Sequence, residues 1–244
     1  MGVSKDSMKI VNTFPGIYHF QAKNQYELTS TFIRLQEFYE SPYKQICGKY
    51  FALDDFFDIY AKKFGNMTYF TDWNGFNVPG YKVNEFIENF EYNFSKKEEL
   101  FVNTFCDNNA FIHEKDKYYV IGTWKEGDID HELCHAWYYL DPEFKKHANA
   151  CVKVLKEKYR QQYDKVVNWL FKEGYSKKVI NDEVMAYMAT SPPEYMDERF
   201  GGKGYQCGNE SVYNYSGSFR MAFGIKKDEQ TKIRYKTRVV RATS

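Results

Sequence analysis

Apolar side chains recur every three or four residues in three segments of the first half of the chain, which is the pattern of amphipathic helices. The predicted helices run from Glu27 to Ser41-Pro42, from just after Leu53 to Gly65 and from Val83 to about Phe105. Asp54 or Asp55 would cap the second helix, and Ser95 with Glu98 would form a capping box that restarts the third. Between them, residues 66–80 hold two glycines and a proline among aromatic residues and predict an ordered loop.

The period changes after residue 109. The segment AFIHEKDKYYVIGTW alternates around a polar turn at residues 114–116, which is typical of a β-hairpin whose second strand runs from Lys117 to Trp124. This second strand would give an extended peptide an edge with which to pair by main-chain hydrogen bonds. Gly127 and Asp128 then introduce a helix through HELCHAWYYL. Its end at Asp141-Pro142 is followed by two more predicted helices, one over Glu143–Glu173 and one from Ser176 through VINDEVMAYMA to Ser191-Pro192. The last residues, KIRYKTRVVRATS, indicate a basic strand or tail.

These elements predict an α+β fold. We expect a helix-rich domain with a small antiparallel sheet beside the HELCH helix. Residues 1–108 would form a helical, aromatic-rich N-terminal half, and residues 109–244 would carry the chemistry. With 244 residues and no repeat or low-complexity linker, the two halves are expected to form one compact unit.

Charge and composition exclude several classes of function. The chain has 34 Lys and Arg against 33 Asp and Glu, so its net charge of +1 provides no field that would attract nucleic acid or an anionic membrane. No stretch approaches the roughly 18 apolar residues of a transmembrane helix. The five cysteines are odd in number and contain no C-x-x-C pair, and the N-terminus lacks an apolar core for secretion. We therefore expect a cytoplasmic protein in a reduced compartment, with neither nucleic acid nor a membrane as partner.

The most informative motif is the H-E-x-x-H sequence from His131 to His135. On a helix, residues i and i+4 lie about 40° apart on one face, so both imidazoles can reach one metal ion. Glu132 points to the side of that face and can act on a water molecule. Zinc suits this chemistry because three protein ligands leave a fourth position for water, whose pKa the metal lowers toward about 7.

Three residues are candidates for the third ligand. Glu183 lies within the apolar helix VINDEVMAYMA, where a carboxylate is costly unless a cation meets it, and it is the favoured candidate. Asp141 and His147 are the alternatives, although Asp141 also suits the N-cap position before Pro142. Asp182, next to Glu183, would either accept a hydrogen bond from an imidazole or serve only as a polar residue near the helix start.

With these motifs the chain resembles the zincin metallopeptidases, and among them the gluzincin type, which has HExxH on one helix and a glutamate on a later one. The resemblance covers about residues 117–190. It implies that His131, His135 and Glu183 are ligands of Zn²⁺ and that Glu132 is the general base. The interval of 183 minus 135, or 48 residues, is longer than in thermolysin-like members, because the helical segment 143–173 intervenes.

Such enzymes usually also place a His or Tyr donor on the developing oxyanion. No histidine follows His147, and Tyr187, one turn after Glu183, is the candidate, with Tyr195 and Tyr205 as alternatives. Cys134 is expected to be a buried thiol rather than a ligand.

The sequence thus predicts a zinc metallopeptidase that hydrolyses peptide bonds in a peptide or protein substrate. The alternative is a non-catalytic structural or partner-binding protein, such as a viral or phage component in a host cytoplasm, whose metal site is vestigial or structural.

Overall fold

The computed structural model describes residues 9–90, 93–106, 117–125, 129–196, 212–232 and 239–241. In these ranges helices predominate around one small sheet, and the predicted α+β fold is confirmed. The residues form two compact units, one drawn from Met1–Glu132 with Tyr235–Ser244 and the other from Leu133–Arg234.

The first unit contains all of the described strands. Its elements are β1 (Lys9–Phe14), β2 (Ile17–Gln21), α1 (Gln25–Glu40), α2 (Leu53–Phe64), α3 (Tyr69–Asp72), β3 (Gly75–Pro79), α4 (Gly80–Phe90), α5 (Lys96–Cys106), β4 (Tyr119–Thr123) and β5 (Val239–Arg241). Helix α6 (Ile129–Leu140) begins in this unit and continues into the second. The second unit also holds α7 (Pro142–Lys158), α8 (Arg160–Glu173), α9 (Ile180–Thr190), α10 (Pro193–Met196) and α11 (Val212–Lys232).

The predicted helices of the first unit are confirmed, with small changes at their ends. In α1, the Asn24 side chain accepts a hydrogen bond from the Glu27 amide at 2.8 Å and caps the helix. Helix α2 starts from Ala52, so Asp54 and Asp55 lie in its first turn and are not its N-cap. Gly65 ends α2 in the left-handed conformation at φ 82°, which favours glycine.

The capping box predicted at the third helix is present. The Ser95 amide donates to the Glu98 carboxylate at 2.7 Å, and the Glu98 amide donates to the Ser95 hydroxyl at 3.3 Å. This box starts α5 as a helix separate from α4.

Within the described ranges the sheet has five strands, in the order β3-β4-β2-β1-β5. Strand β2 pairs in parallel with β4, while the other three pairings are antiparallel, so the sheet is mixed rather than antiparallel as expected. Strand β4 confirms part of the predicted strand 117–124. The first strand of the predicted hairpin falls at residues 107–116, outside the described ranges.

Two expectations about this sheet are wrong. Residues 66–80 are not a loop, because they contain α3 and β3. The sequence predicts that the strand ending at Trp124 is the edge for an extended peptide, but β4 lies between β2 and β3, and among the described strands β3 is the edge on this side. The N-terminal half also holds the hairpin β1–β2, which turns at Gly16 with φ 71°.

The two faces of the sheet differ in chemistry. The apolar face packs on α1, where the Phe32 ring lies 5.3 Å from the Phe20 ring and 5.7 Å from the Phe76 ring. Gly122 allows this close packing, since a Cβ atom there would lie 2.9 Å from Leu28 Cδ1. The opposite face, called here the polar face, carries His19, Asn77, Tyr119 and Thr123, as the strand register requires.

In the second unit, most of the predicted helix boundaries hold. Asp141 caps α7 by accepting hydrogen bonds from the Glu143 and Phe144 amides at 2.9 and 3.1 Å. The segment predicted as one helix over 143–173 is two helices, because α7 ends before Tyr159 and α8 begins at Arg160. Helix α9 starts at Ile180 from Val179, not from Ser176.

Within the described ranges, no helix combines the length and the apolar composition needed to cross a bilayer.

Candidate metal centre

Helix α6 places both histidines of the HExxH motif on one continuous element. It ends where the Asp141 amide donates to the Trp137 carbonyl at 2.9 Å and Pro142 begins the next helix. His135 and Cys134 are fully buried, and His131 is partly exposed. The motif is therefore buried at His135 and reaches solvent at His131.

Helix α9 brings Glu183 to this pair of histidines. One ligand atom from each of His131, His135 and Glu183 lies within 4.8 Å of the other two. In the part of the chain that the structure describes, this is the one group of three His, Cys, Asp or Glu side chains that meets this spacing. The residues that the sequence singled out as ligands are thus brought together.

The separation of His135 and Glu183 suits two ligands of one ion. Their Nε2 and Oε1 atoms lie 3.6 Å apart, which is longer than an ordinary hydrogen bond between nitrogen and oxygen. Tetrahedral bonds of about 2.0 to 2.1 Å to zinc place two ligand atoms about 3.4 Å apart. A small inward movement would therefore convert this contact into a pair of coordination bonds.

The other nitrogen of His135 faces a carboxylate. Its Nδ1 atom lies 3.0 Å from Oδ1 of Asp182, and Asp182 is one-fifth exposed. A carboxylate at Nδ1 fixes the tautomer that leaves Nε2 available for a metal ion. This contact favours an orienting role for Asp182 over that of a merely polar residue near the helix start.

The burial of Glu183 also favours a cation at this position. Its side chain is 4 % exposed and sits among the buried Val184, Met185 and Ala186 on α9. A carboxylate in such surroundings is costly unless its charge is met. The donor set of two imidazoles and one carboxylate is one that binds zinc and leaves a fourth position open.

Glu132 lies against strand β3. Its Oε2 atom accepts a hydrogen bond from Nδ2 of Asn77 at 2.9 Å, and its side chain is 5 % exposed. A Cβ atom added at Gly75 would lie 2.8 Å from the Glu132 carboxyl carbon, so the carboxylate occupies the space above this glycine. The sequence does not single out Gly75 or Asn77, because the glycines and the proline of residues 66–80 predict a loop, although Phe76 and Val78 alternate with polar or small neighbours.

The alternative third ligands have other roles. Asp141 caps α7 and forms an ion pair with Lys226 of α11. Burial alone would raise the pKa of Asp141, but hydrogen bonds from Lys226 and from the Phe144 and Glu143 amides lower it below its usual value. His147 is exposed on α7. Neither residue belongs to the cluster of His131, His135 and Glu183.

Tyr187, on α9, packs in an aromatic group with Trp169 and Tyr175. Its ring packs edge-on against Trp169 with centroids 5.0 Å apart, and its hydroxyl meets that of Tyr175 at 3.2 Å. These contacts give Tyr187 a packing role, and its assignment as oxyanion donor stays a prediction. Of the alternatives, Tyr195 lies on α10, and Tyr205 falls outside the described ranges.

Comparison of the chain with known protein families, curated proteins and solved structures finds no match. The case for its function therefore rests on the residues and geometry of this site.

Proposed function

We propose that the protein is a zinc-dependent metallopeptidase of gluzincin type. The observation that carries the proposal is the group of His131, His135 and Glu183, whose ligand atoms lie within 4.8 Å of one another on two helices. These residues would hold the ion, and Asp182 would orient His135 from behind. When bound, zinc would supply an open position for water and lower the pKa of that water toward about 7.

Glu132 is the proposed general base. It is the neighbour of His131 on α6, and its carboxylate can accept a proton from the attacking water and pass it to the leaving amine. Its burial excludes much of the bulk solvent, which would otherwise compete for its hydrogen bonds. Tyr187 is retained as the proposed donor to the oxyanion.

A peptide or protein is the proposed substrate. Strand β3 supports this choice, since the residues against which Glu132 lies belong to an edge strand of the sheet. Main-chain groups of an edge strand can pair with an extended peptide and fix it near the base. We place the protein in a reducing cytoplasm, because Cys47 and Cys151 are free thiols and the sequence shows no disulfide framework.

The first experiment is metal analysis of protein purified without chelators, combined with cleavage of a peptide library read by mass spectrometry. We expect about one zinc per chain and cleavage that stops on chelation and returns with zinc. His131→Ala and His135→Ala should lose zinc.

Glu132→Gln separates an enzyme from a protein with a structural metal site. We expect this variant to retain zinc and its fold but to lose cleavage. Zinc retention in an inactive wild-type protein would support the structural or partner-binding alternative, and a wild type that binds no metal would overturn the proposed site.

A further inference from the structure

We infer that Asn77 is a positioning residue for Glu132 and that the Tyr119 hydroxyl anchors the Asn77 amide in place. This inference rests on the proposed function, because it assigns Glu132 the role of general base. All three residues lie in the first compact unit.

The hydrogen bonds form a chain with one direction. The Tyr119 hydroxyl donates to Oδ1 of Asn77 at 2.6 Å, and Nδ2 of Asn77 donates to Oε2 of Glu132 at 2.9 Å. An ionised carboxylate only accepts hydrogen bonds, so the amide must present its NH₂ group to Glu132. A rotated amide would turn its oxygen toward the carboxylate and lose the bond to Glu132, while the Tyr119 hydroxyl could still accept from the NH₂ group. The carboxylate therefore selects the orientation, and the Tyr119 hydroxyl anchors the amide oxygen on the other side.

The strand register explains why these side chains meet. Asn77 is opposite Ile121, and Tyr119 precedes Ile121 by two residues, so both side chains project from the polar face. Gly75 lies on the same face, opposite Thr123. Strand β3 thus presents an amide donor and, two residues earlier, a position without a side chain. The Glu132 carboxylate occupies the space that this pair provides.

The hydrogen bond from Asn77 holds the carboxylate of Glu132, the proposed base, in one position. A glutamate side chain has several rotatable bonds, and a base must lie within hydrogen-bond reach of the proton that it removes. Holding the carboxylate in one rotamer before substrate arrives removes that entropy from the reaction barrier. Asn77 contacts Glu132 and not a metal ligand, so its loss should reduce kcat while leaving KM and zinc content in place.

Steady-state kinetics on a peptide from the library provide the test. We expect Asn77→Ala to lower kcat by roughly tenfold to a hundredfold with little change in KM or zinc content. Asn77→Asp keeps the side-chain shape but removes the donor, and it should lose at least as much. Tyr119→Phe should lower kcat by a smaller factor, and it should have no further effect in the Asn77→Ala background.

The matched control is a similar pair that involves the residue next to Tyr119. The Tyr118 hydroxyl donates to Oδ1 of Asn84 on α4 at 2.9 Å. Tyr118 directly precedes β4, so the alternation of side chains directs it to the face opposite Tyr119. Tyr118→Phe and Asn84→Ala remove the same kind of hydrogen bond and should leave kcat unchanged. Equal losses of kcat in the two pairs would indicate general loosening of the sheet and would overturn the inference.

A second readout does not depend on activity. In metal-free protein, urea denaturation of Asn77→Ala, Glu132→Ala and the double variant forms a double-mutant cycle. We expect the double variant to shift the midpoint by less than the sum of the single shifts. Additive shifts, or an active protein whose kcat is unchanged by Asn77→Ala and Tyr119→Phe, would overturn the inference alone. A wild type without peptidase activity would overturn the proposed function, and a non-additive cycle would then show that the contact itself is real.

Discussion

Nδ1 of His135 lies 3.0 Å from Oδ1 of Asp182, the residue that precedes Glu183 on α9. Glu183 therefore faces Nε2 of His135, where the metal position is proposed, and the adjacent Asp182 faces Nδ1 on the other side of the ring. Any shift of α9 would change the two contacts together. The geometry of the site consequently depends on how α9 packs beside the buried imidazole.

The first prediction concerns Asp182→Asn. The amide oxygen can still face Nδ1 of His135, but it carries no negative charge to orient and polarise the imidazole, so we expect zinc affinity to fall by roughly 10- to 100-fold. Competition with a fluorescent zinc chelator measures this change. Asp164→Asn, at an exposed pair with Arg160 on α8, is the control and should leave affinity unchanged. Equal affinities for the wild type and Asp182→Asn would refute the orienting role.

The second prediction compares the three candidate third ligands. Glu183→Ala should lower zinc affinity by more than Asp182→Asn does, because two imidazoles alone hold the ion weakly. His147→Ala should retain zinc, since His147 is exposed on α7. Asp141→Asn should also retain zinc, although it weakens a helix cap and an ion pair with Lys226. Loss of zinc from either of these two variants, with Glu183→Ala unaffected, would contradict the assignment.

A third prediction concerns pH and the buried carboxyl of Glu37. Burial raises the pKa of Glu37, against the lowering effects of hydrogen bonds from Ser41 and Tyr69 and of the charge on Lys63. A carboxyl with a raised folded-state pKa contributes its full stability below its unfolded pKa of about 4.3, and this contribution is lost as pH rises through the folded value. The wild type should therefore lose stability relative to Glu37→Gln as pH rises.

Urea denaturation at pH 4, 6 and 8 measures this difference. The free energy of unfolding of Glu37→Gln should rise relative to that of the wild type as pH increases. The rise should be roughly 1.4 kcal/mol for each pH unit that separates the folded from the unfolded pKa, and it should shrink toward pH 4. Glu88→Gln, at an exposed position on α4, should show no such trend. A constant difference across the three pH values would contradict the prediction.

The fourth prediction concerns the buried ion pair of Arg34 and Glu98. Nε of Arg34 donates to Oε1 of Glu98 at 2.8 Å, and both side chains are almost fully buried. Glu98→Ala would leave a buried guanidinium uncompensated and should cost about 3 to 5 kcal/mol of unfolding free energy. The exposed pair of Lys153 and Glu157 provides the contrast, since Glu157→Ala should change the free energy by less than about 1 kcal/mol. If Glu98→Ala and Glu157→Ala lost similar amounts of unfolding free energy, burial of the Arg34 charge would not explain the loss in Glu98→Ala.

Local patterns were enough to predict most helices and the three residues that cluster, His131, His135 and Glu183. The periodicity of α1, α5 and α6 and the capping box of α5 are set by neighbouring residues, and the HExxH spacing follows from the helical repeat. The cost of a carboxylate in an apolar helix then pointed to Glu183. Each of these inferences uses residues within a few turns of one another.

The sheet and the contacts of Glu132 depend on residues far apart in sequence. Strand β4 pairs with residues 17–21 on one side and 75–79 on the other, and no local pattern encodes those partners. Strand β3 is only five residues long and contains Gly75 and Pro79, which resemble loop composition. Asn77 has no motif of its own, because its position beside Glu132 follows from the register opposite Ile121.

The pairing of β1 with β5 has a consequence for the order in which the protein can fold during synthesis. Val11 pairs with Val239, and 239 minus 11 gives a separation of 228 residues. Contacts of such long range form slowly, because a large loop must close before they stabilise the chain. On the ribosome, the outer side of β1 must remain without this partner strand until residue 239 has emerged. We therefore expect chaperones that shield exposed strand edges to bind the nascent chain for most of its translation.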